Sequence, residues 1–252
     1  MSVLIKDNFR SEKIMNKKLS FPKHIAFIPD GNRRWAKKHK LKAWLGHKTG
    51  AENFRKLLEV AMEFGVSHIS FWGSSQDNLA KRPKEEVEFL LDLFRDKFLS
   101  LSKDEKIHEK KVKISVFGSW REQFPLPVRE SIEKAIEATK DYGDYHLNFF
   151  LAYSGTAEIS DAIKAIVRKA RTDGSLLIDK NLVKECLYTK ELPSVDLMIR
   201  TGGEPHLSDG FMMWETANAQ LYFSDKLWPD FNKSDFKDAI IDYSKRERRF
   251  GK

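Results

Sequence analysis

Cysteine is almost missing from this chain: Cys186 is the only one among 252 residues. A single thiol excludes an internal disulfide and a cysteine-built zinc site. Its place in Leu182-Val183-Lys184-Glu185-Cys186-Leu187 gives it the role of a small buried hydrophobe. Long apolar runs are missing as well. No stretch reaches the roughly 18 consecutive apolar residues that a membrane-spanning helix needs. Met1 to Ser20 carries scattered charges and no apolar block, which argues against a secretory signal and for the cytosol. Stock nucleotide loops are also lacking. No G-x-G-x-x-G follows the first apolar run, and Gly46-His47-Lys48-Thr49 lacks the adjacent Gly-Lys and upstream glycine of a P-loop. No internal repeat or low-complexity linker divides the chain, so one domain is expected.

What the chain has in excess is positive charge, with a formal net charge of +8. A cationic surface attracts polyanions, small diphosphates and anionic headgroups alike. The lysines are interleaved with 37 acidic residues and come with no zinc-finger spacing or aromatic RNP-type motif, which argues against a nucleic-acid partner.

Short apolar runs alternate with helical patterns along the chain. Strands are expected at 24–28, 66–72, 112–117, 146–152, 195–199 and 220–223. Phe54, Leu57, Leu58 and Ala61 share a helical face, and Gly65 is placed to end that helix. Pro83, followed by Glu85 and Glu86, opens another, whose apolar positions Val87, Leu90, Leu91, Phe94, Phe98 and Leu101 keep helical spacing. Further helices are expected at about 127–141, 156–171 and 234–249. The alternation predicts an α/β fold with a mostly parallel sheet flanked by helices. Ligands bind such sheets at the carboxyl ends of the strands. Polar clusters sit there: Asp30-Gly31-Asn32, Gly73 to Asn78, Ser154-Gly155-Thr156, and Arg200 to Glu204.

The first cluster carries the most chemistry. In Ile28-Pro29-Asp30-Gly31-Asn32-Arg33-Arg34-Trp35-Ala36 a strand end runs into a helix start. Backbone donors, two guanidinium groups and a carboxylate share a small volume, which suits a diphosphate bound with magnesium. The same tripeptide is also a common turn, and the basic stretch after it a plausible solvated face with Trp35 tucked inward.

Several blocks in order resemble the cis-prenyltransferases of the undecaprenyl diphosphate synthase type. They are Asp30 to Ala36, Gly46-His47-Lys48-x-Gly50, Ser75-x-x-Asn78 with Arg82-Pro83, Ile199 to Glu204, Leu221-Tyr222-Phe223, Trp228-Pro229-Asp230-Phe231 and Arg246 to Gly251. The resemblance covers about 22–251, leaving 1–21 as an N-terminal extension. It implies one domain with a six-stranded, mostly parallel sheet, a hydrophobic tunnel and a homodimer. It implies an enzyme that condenses isopentenyl diphosphate with an allylic diphosphate, often farnesyl diphosphate, using magnesium to build cis-polyprenyl diphosphate. A peripheral membrane contact at product release goes with such a product. The helix after Pro83 resembles the one that lines the tunnel, although its stripe alone would read as core packing.

By the same resemblance, Asp30 chelates magnesium on the allylic diphosphate. The amides of Gly31, Asn32, Arg33 and Arg34, the Arg34 side chain and His47 grip that group, with Trp35 in the same run. Arg200, Ser208 and Arg82 form the isopentenyl diphosphate pocket, and Arg249 and Gly251 complete it across the dimer. Ser75 and Asn78, with Gln76 and Asp77 between them, position isopentenyl diphosphate and serve its deprotonation. An amide is not a base near neutral pH, so Asn78 orients a relay. Ordinary roles stand beside these: Asn78 or Ser208 as helix caps, His47 as a helix-start residue, Arg246 to Arg249 as a solvated helix end.

The chain departs from the pattern at four places. Ala43 replaces a diphosphate-binding arginine, with Lys42 adjacent. Leu79 replaces a tryptophan, and one extra residue precedes Arg82. Pro205-His206-Leu207 precedes Ser208 where a basic or His-Arg pair is usual, which makes His206 a substitute phosphate contact, weaker than arginine because it is mostly neutral near pH 7. Gln220 stands where a second metal-ligating glutamate is usual, and a neutral amide binds magnesium more weakly. These departures motivate a second reading, a weakly active or non-catalytic prenyl-diphosphate-binding partner subunit of the same fold.

Overall fold

β1 (His24–Ile28) is buried at all five positions, as a strand covered on both faces must be. β2 (His68–Trp72), β3 (Val112–Phe117), β4 (Tyr145–Phe150), β5 (Leu197–Arg200) and β6 (Gln220–Phe223) join it in one six-stranded sheet of order β3-β4-β2-β1-β5-β6. All five pairings are parallel. The computed structural model describes residues 20–246. All six expected strands form, with small shifts at their ends, and the sheet is wholly parallel.

The connections are helical: α1 (Asn32–Lys38), α2 (Ala43–Glu63), α3 (Gln76–Lys81), α4 (Lys84–Leu101), α5 (Glu105–Glu109), α6 (Trp120–Gln123), α7 (Leu126–Thr139), α8 (Gly155–Thr172), α9 (Lys180–Cys186) and α10 (Lys233–Lys245). Residues 73–78 do not all form a loop. Ser75 Oγ accepts the Asn78 amide at 3.0 Å and starts α3, just as Asp104 and Asp179 start α5 and α9. Segments this short show no hydrophobic period, so only their caps announce them. Pro83 serves as the N-cap of α4 without help from the Asn78 side chain. The helix expected over 234–249 stops at Lys245, because Arg246 turns extended and donates to the Leu221 carbonyl at 3.0 Å. Arg249 and Gly251 lie outside the described residues. No helix among the described residues is long and apolar enough to cross a membrane.

Alternation along β1 divides the core. Ile25 and Phe27 face α2, α7 and α10, where Phe54, Leu57, Ile132, Phe236 and Ile240 pack. Ala26 and Ile28 face a second cluster with Trp72, Phe150, Tyr153, Met198 and Phe211. Cys186, at the end of α9, is only partly buried. α4 is unusual: of its 18 residues only Glu86, Leu90 and Phe98 are buried. Its apolar stripe is therefore not filled by neighbouring side chains, and the space beside it is a cavity.

Candidate active site

The polar loops meet at the carboxyl edge of the sheet, as the alternating pattern predicts. The loop after β1 is clamped from three sides. Asp30 O accepts Trp228 N at 2.9 Å and Thr201 Oγ1 at 2.8 Å. α2 lies against Asn32 through a glycine face: a Cβ on Gly46 would fall 2.0 Å from Asn32 O, and one on Gly50 2.3 Å from Asn32 Oδ1. Trp228 Nε1 donates to Gly50 O at 2.8 Å, and Asn53 Nδ2 donates to the Trp228 and Phe231 carbonyls. The Gly46/Gly50 pair and the Trp228–Phe231 strap thus share one task, fixing the carboxylate end of the loop.

The Asp30 carboxylate stands between two guanidinium groups, with Arg34 Nη2 at 3.2 Å and Arg200 Nη2 at 2.9 Å. Arg200, on β5, is 4 % exposed; its Nη1 donates to His206 O at 2.6 Å and its Nε has no protein partner. Arg34 Nη1 donates to Gly202 O at 2.7 Å and approaches Glu204 at 3.7 Å.

A second cluster, which sequence reasoning missed, centres on Glu86 in the first turn of α4. This carboxylate is 2 % exposed. Arg33 Nε lies 3.5 Å from Oε2, and Arg82 Nε at 3.5 Å and His47 Nε2 at 3.2 Å from Oε1. Burial, reinforced by the Arg82 charge, lowers His47 to about 4, so its ring is neutral near pH 7. His47 faces Glu86 as a neutral group and is the fifth residue of α2, not a helix-start residue. Glu86 reads in the sequence as an ordinary acid complementing a helix start. Only its burial among three basic side chains marks it out.

Both clusters stand at one end of a cavity of about 1760 Å³. Asp30, Gly31, Asn32, Arg33, Arg34, His47, Ser75, Asp77, Asn78, Arg82, Arg200 and Ser208 all line it. Phe54, Leu58, Phe71, Leu90, Phe94 and Phe98 form its apolar wall between α2, α4 and the sheet. Other expected site residues are placed elsewhere. Trp35 Nε1 donates to Asp230 at 2.7 Å, and its ring packs on His39. Gln76 Nε2 donates to Ser119 Oγ at 3.0 Å. His206, by contrast, stays beside Arg200: its carbonyl accepts Arg200 Nη1 at 2.6 Å, and its Nδ1, 3.4 Å from the same Nη1, accepts the Ser208 amide at 3.1 Å. Gln220 pairs with Leu197 at the amino end of β6, whereas Arg200 pairs with Phe223 at the carboxyl end. Within one chain Gln220 is therefore not brought to Asp30, and its buried Oε1 lacks a partner. Of the remaining departures, Ala43 lines the cavity mouth but Lys42 turns its Nζ over the Trp44 ring at 5.4 Å. Lys37 and Lys40, from α1 and the turn after it, line the mouth instead. Leu79 packs against the core.

Comparison with known proteins agrees with this geometry. The family model described as "Putative undecaprenyl diphosphate synthase" matches residues 28–251. A curated relative from Pyrococcus abyssi, a tritrans,polycis-undecaprenyl-diphosphate synthase named as geranylgeranyl-diphosphate specific, is 44 % identical over 92 % of this chain and 87 % of its own length. The crystal structure of lavandulyl diphosphate synthase from Lavandula x intermedia with dimethylallyl diphosphate matches with a TM-score of 0.86 at 31 % identity, covering 92 % of this chain and 99 % of that one. A probable undecaprenyl diphosphate synthase from Campylobacter jejuni matches with a TM-score of 0.75 at 30 % identity, over 92 % and 100 % of the two chains. The Asp30–Arg200 mouth, the apolar cavity behind it and these matches lead to one conclusion: the chain belongs to the undecaprenyl diphosphate synthase family of cis-prenyltransferases.

Proposed function

We propose that this enzyme elongates geranylgeranyl diphosphate with isopentenyl diphosphate units, adding cis double bonds. The observation that carries the proposal is a single cavity, basic around Asp30 and apolar along α4. At ~25 Å³ per carbon, the density at which an apolar cavity of about 150 Å³ takes one benzene, it has room for roughly 70 carbon atoms. A polyprenyl chain suits that volume. The names of the archaeal relatives support geranylgeranyl diphosphate, in place of the farnesyl diphosphate that the sequence resemblance suggests.

Magnesium fits the mouth. Among the described residues no three His, Cys, Asp or Glu side chains could enclose a metal ion, and Asp30 is a partly exposed carboxylate amid cations. Magnesium keeps few protein carboxylates and takes its other oxygens from phosphate and water. Bound there by Asp30, it would compensate charge on the departing diphosphate. Arg34 and Arg200 hold Asp30 and offer donors to the phosphate oxygens. As the allylic C–O bond breaks, the isopentenyl alkene forms the new C–C bond and gives up a proton beside it to an oxygen of the departing diphosphate. Asn78 orients that substrate from the cavity wall, and Ser208 meets its diphosphate beside Arg200. A homodimer is supported by the exposed Leu221 and Phe223 on edge strand β6.

Incubation with radiolabelled isopentenyl diphosphate, magnesium and either primer tests the proposal. Incorporation that is faster with geranylgeranyl than with farnesyl diphosphate, and lost with a chelator, is expected. Binding of the allylic diphosphate without any incorporation would refute it in favour of a non-catalytic partner subunit.

A further inference from the structure

The sheet face opposite the cavity buries an acid cluster that the proposed chemistry leaves unused. Glu158 on α8 and Glu215 are each 3 % exposed. Thr189 Oγ1 lies between them, 3.0 Å from Glu158 Oε1 and 2.8 Å from Glu215 Oε1. A hydroxyl has one proton and donates to one carboxylate only. The second contact is favourable only where the other carboxyl carries a proton and donates back to Thr189. Two neighbouring buried carboxylates also do not both ionise readily. Lys184 Nζ, 2.5 Å from Glu215 Oε1, fixes the negative charge on that side. Glu158 is met by neutral donors, Tyr153 OH at 2.5 Å and Thr189 N at 3.1 Å. Burial, with the Glu215 charge adding to it, pushes the Glu158 carboxyl up. The Tyr188 hydroxyl, bonded to Asp161, completes the surroundings.

The same cluster anchors a loop. Tyr153 OH accepts the Met212 amide at 3.3 Å while it donates to Glu158. Ser208, Asp209 and Met212 have φ values of 42°, 45° and 48°. Left-handed backbone at non-glycine residues persists only where the surroundings fix it. From the other side Gly155 N donates to Asp209 O at 3.1 Å, and a Cβ on Gly155 would fall 1.9 Å from Gly210 O. This anchored loop brings Ser208 and Asp209 to the cavity wall.

We propose that Glu158 and Glu215 hold one proton between them across Thr189 and, through Tyr153, act as a positioning pair for the loop that presents Ser208 to the diphosphate of isopentenyl diphosphate. The proposal rests on the prenyl-transfer reading of the cavity. Loss of the shared proton leaves two repelling charges on either side of Thr189; Glu158 is driven away from Glu215 and carries the Tyr153 hydroxyl off the Met212 amide. The loop then loosens, and the KM for isopentenyl diphosphate rises while kcat holds.

The infrared difference spectrum between the wild-type protein and Glu158→Gln, recorded near neutral pH, tests the proton directly. A protonated-carboxyl band present in wild type and lost in the variant is expected; its absence overturns the proposal. Steady-state kinetics tests the positioning. Glu158→Gln keeps an acceptor for Tyr153 and a donor for Thr189 Oγ1, loses only the acceptor of the Thr189 amide, and leaves KM close to wild type. Glu158→Ala raises KM for isopentenyl diphosphate about tenfold, the scale of one lost buried hydrogen bond, with kcat unchanged. Equal losses in both variants, or a fall in kcat alone, overturn it. Glu215→Gln removes the second charge and flattens the rise of KM with pH, and an unchanged profile is a further refutation. A wild-type protein with no turnover would instead sink the prenyl-transfer reading, and the infrared band would still report the shared proton.

Discussion

Replacing Asp30 by alanine separates chemistry from folding. The carboxylate pairs with Arg34 at 3.2 Å and Arg200 at 2.9 Å. Without it, the buried Arg200 guanidinium keeps the His206 carbonyl as an acceptor but no counter-charge at Nη2. Breaking a fully buried ion pair by removing one partner costs about 3–5 kcal/mol. The Asp30 side chain is 34 % exposed, so water screens the loss, and about 1–2 kcal/mol is the expected cost. In a chain of this length each kcal/mol lowers Tm by about 2–4 °C, which gives a drop of roughly 2–8 °C. Turnover falls much further. Asp30 is itself an anion and acts on the departing diphosphate through the metal it would hold; one preorganised electrostatic contact of that kind is worth about 10²–10³ in kcat. Isopentenyl incorporation and thermal unfolding, measured on the same preparation of Asp30→Ala, check both halves. Near-normal incorporation would refute the role of Asp30. Lost activity with Tm lowered far beyond that window would show that Asp30 is a folding residue first.

Gly50→Ala drives a methyl group into Asn32 Oδ1 and Trp228, and should cost about 1–3 kcal/mol by overpacking while raising KM for the allylic substrate. Gly143→Ala, with no atom within 4 Å of the new Cβ, is the control and should leave both unfolding and kinetics unchanged. Phe94→Ala enlarges the cavity wall and should shift the dephosphorylated products to longer chains, read by chromatography. It should cost less stability than Phe236→Ala, which empties a fully buried core position at about 3–5 kcal/mol. Burial lowers His24 and His47 to about 4 from an ordinary 6.5. Between those values the unfolded chain takes up protons that the folded one refuses, so stability falls as pH drops from 6.5 towards 4. The slope is at most about 1.4 kcal/mol per pH unit for each histidine, and a flat Tm across that window would refute their neutral burial. Glu158 gives the opposite limb: its raised carboxyl contributes stability that is lost as pH climbs above the ordinary carboxylate range.

Strand positions were legible because their cause is local. A strand buried on both faces must be apolar throughout, and a run as short as Ile25 to Ile28 has few other uses. The carboxyl-edge placement of Asp30 and Arg200 followed from topology: once the strands are parallel, the loops after them converge. Glu86 was missed, and the placements of Trp35 and Gln220 were not foreseen, for a different reason. Their roles depend on which way a side chain points across long sequence distances. Glu86 meets Arg33 and His47, 53 and 39 residues away, and Trp35 meets Asp230, 195 residues away. The motif block that contains a residue does not say which of its side chains turn inward.

The helix α4 shows why a tunnel cannot be read from periodicity. Val87, Leu90, Leu91, Phe94, Phe98 and Leu101 recur at helical spacing, and that spacing reports only that one face avoids water. A face avoids water equally well against packed side chains or against an apolar ligand. The distinction lies in what the partners α2 and the sheet supply. They supply Phe54, Leu58 and Phe71 at the walls, too few and too far apart to fill about 1760 Å³. Native interiors pack to near-crystalline density, so the unfilled apolar part of this cavity along α4 is costly unless something occupies it during the working cycle. The cavity behind Asp30 is thus a stability cost that only its occupant offsets. Allylic diphosphates with longer tails should therefore raise Tm more than short ones at equal free concentration, and equal stabilisation by both would mean that the tail does not enter along α4.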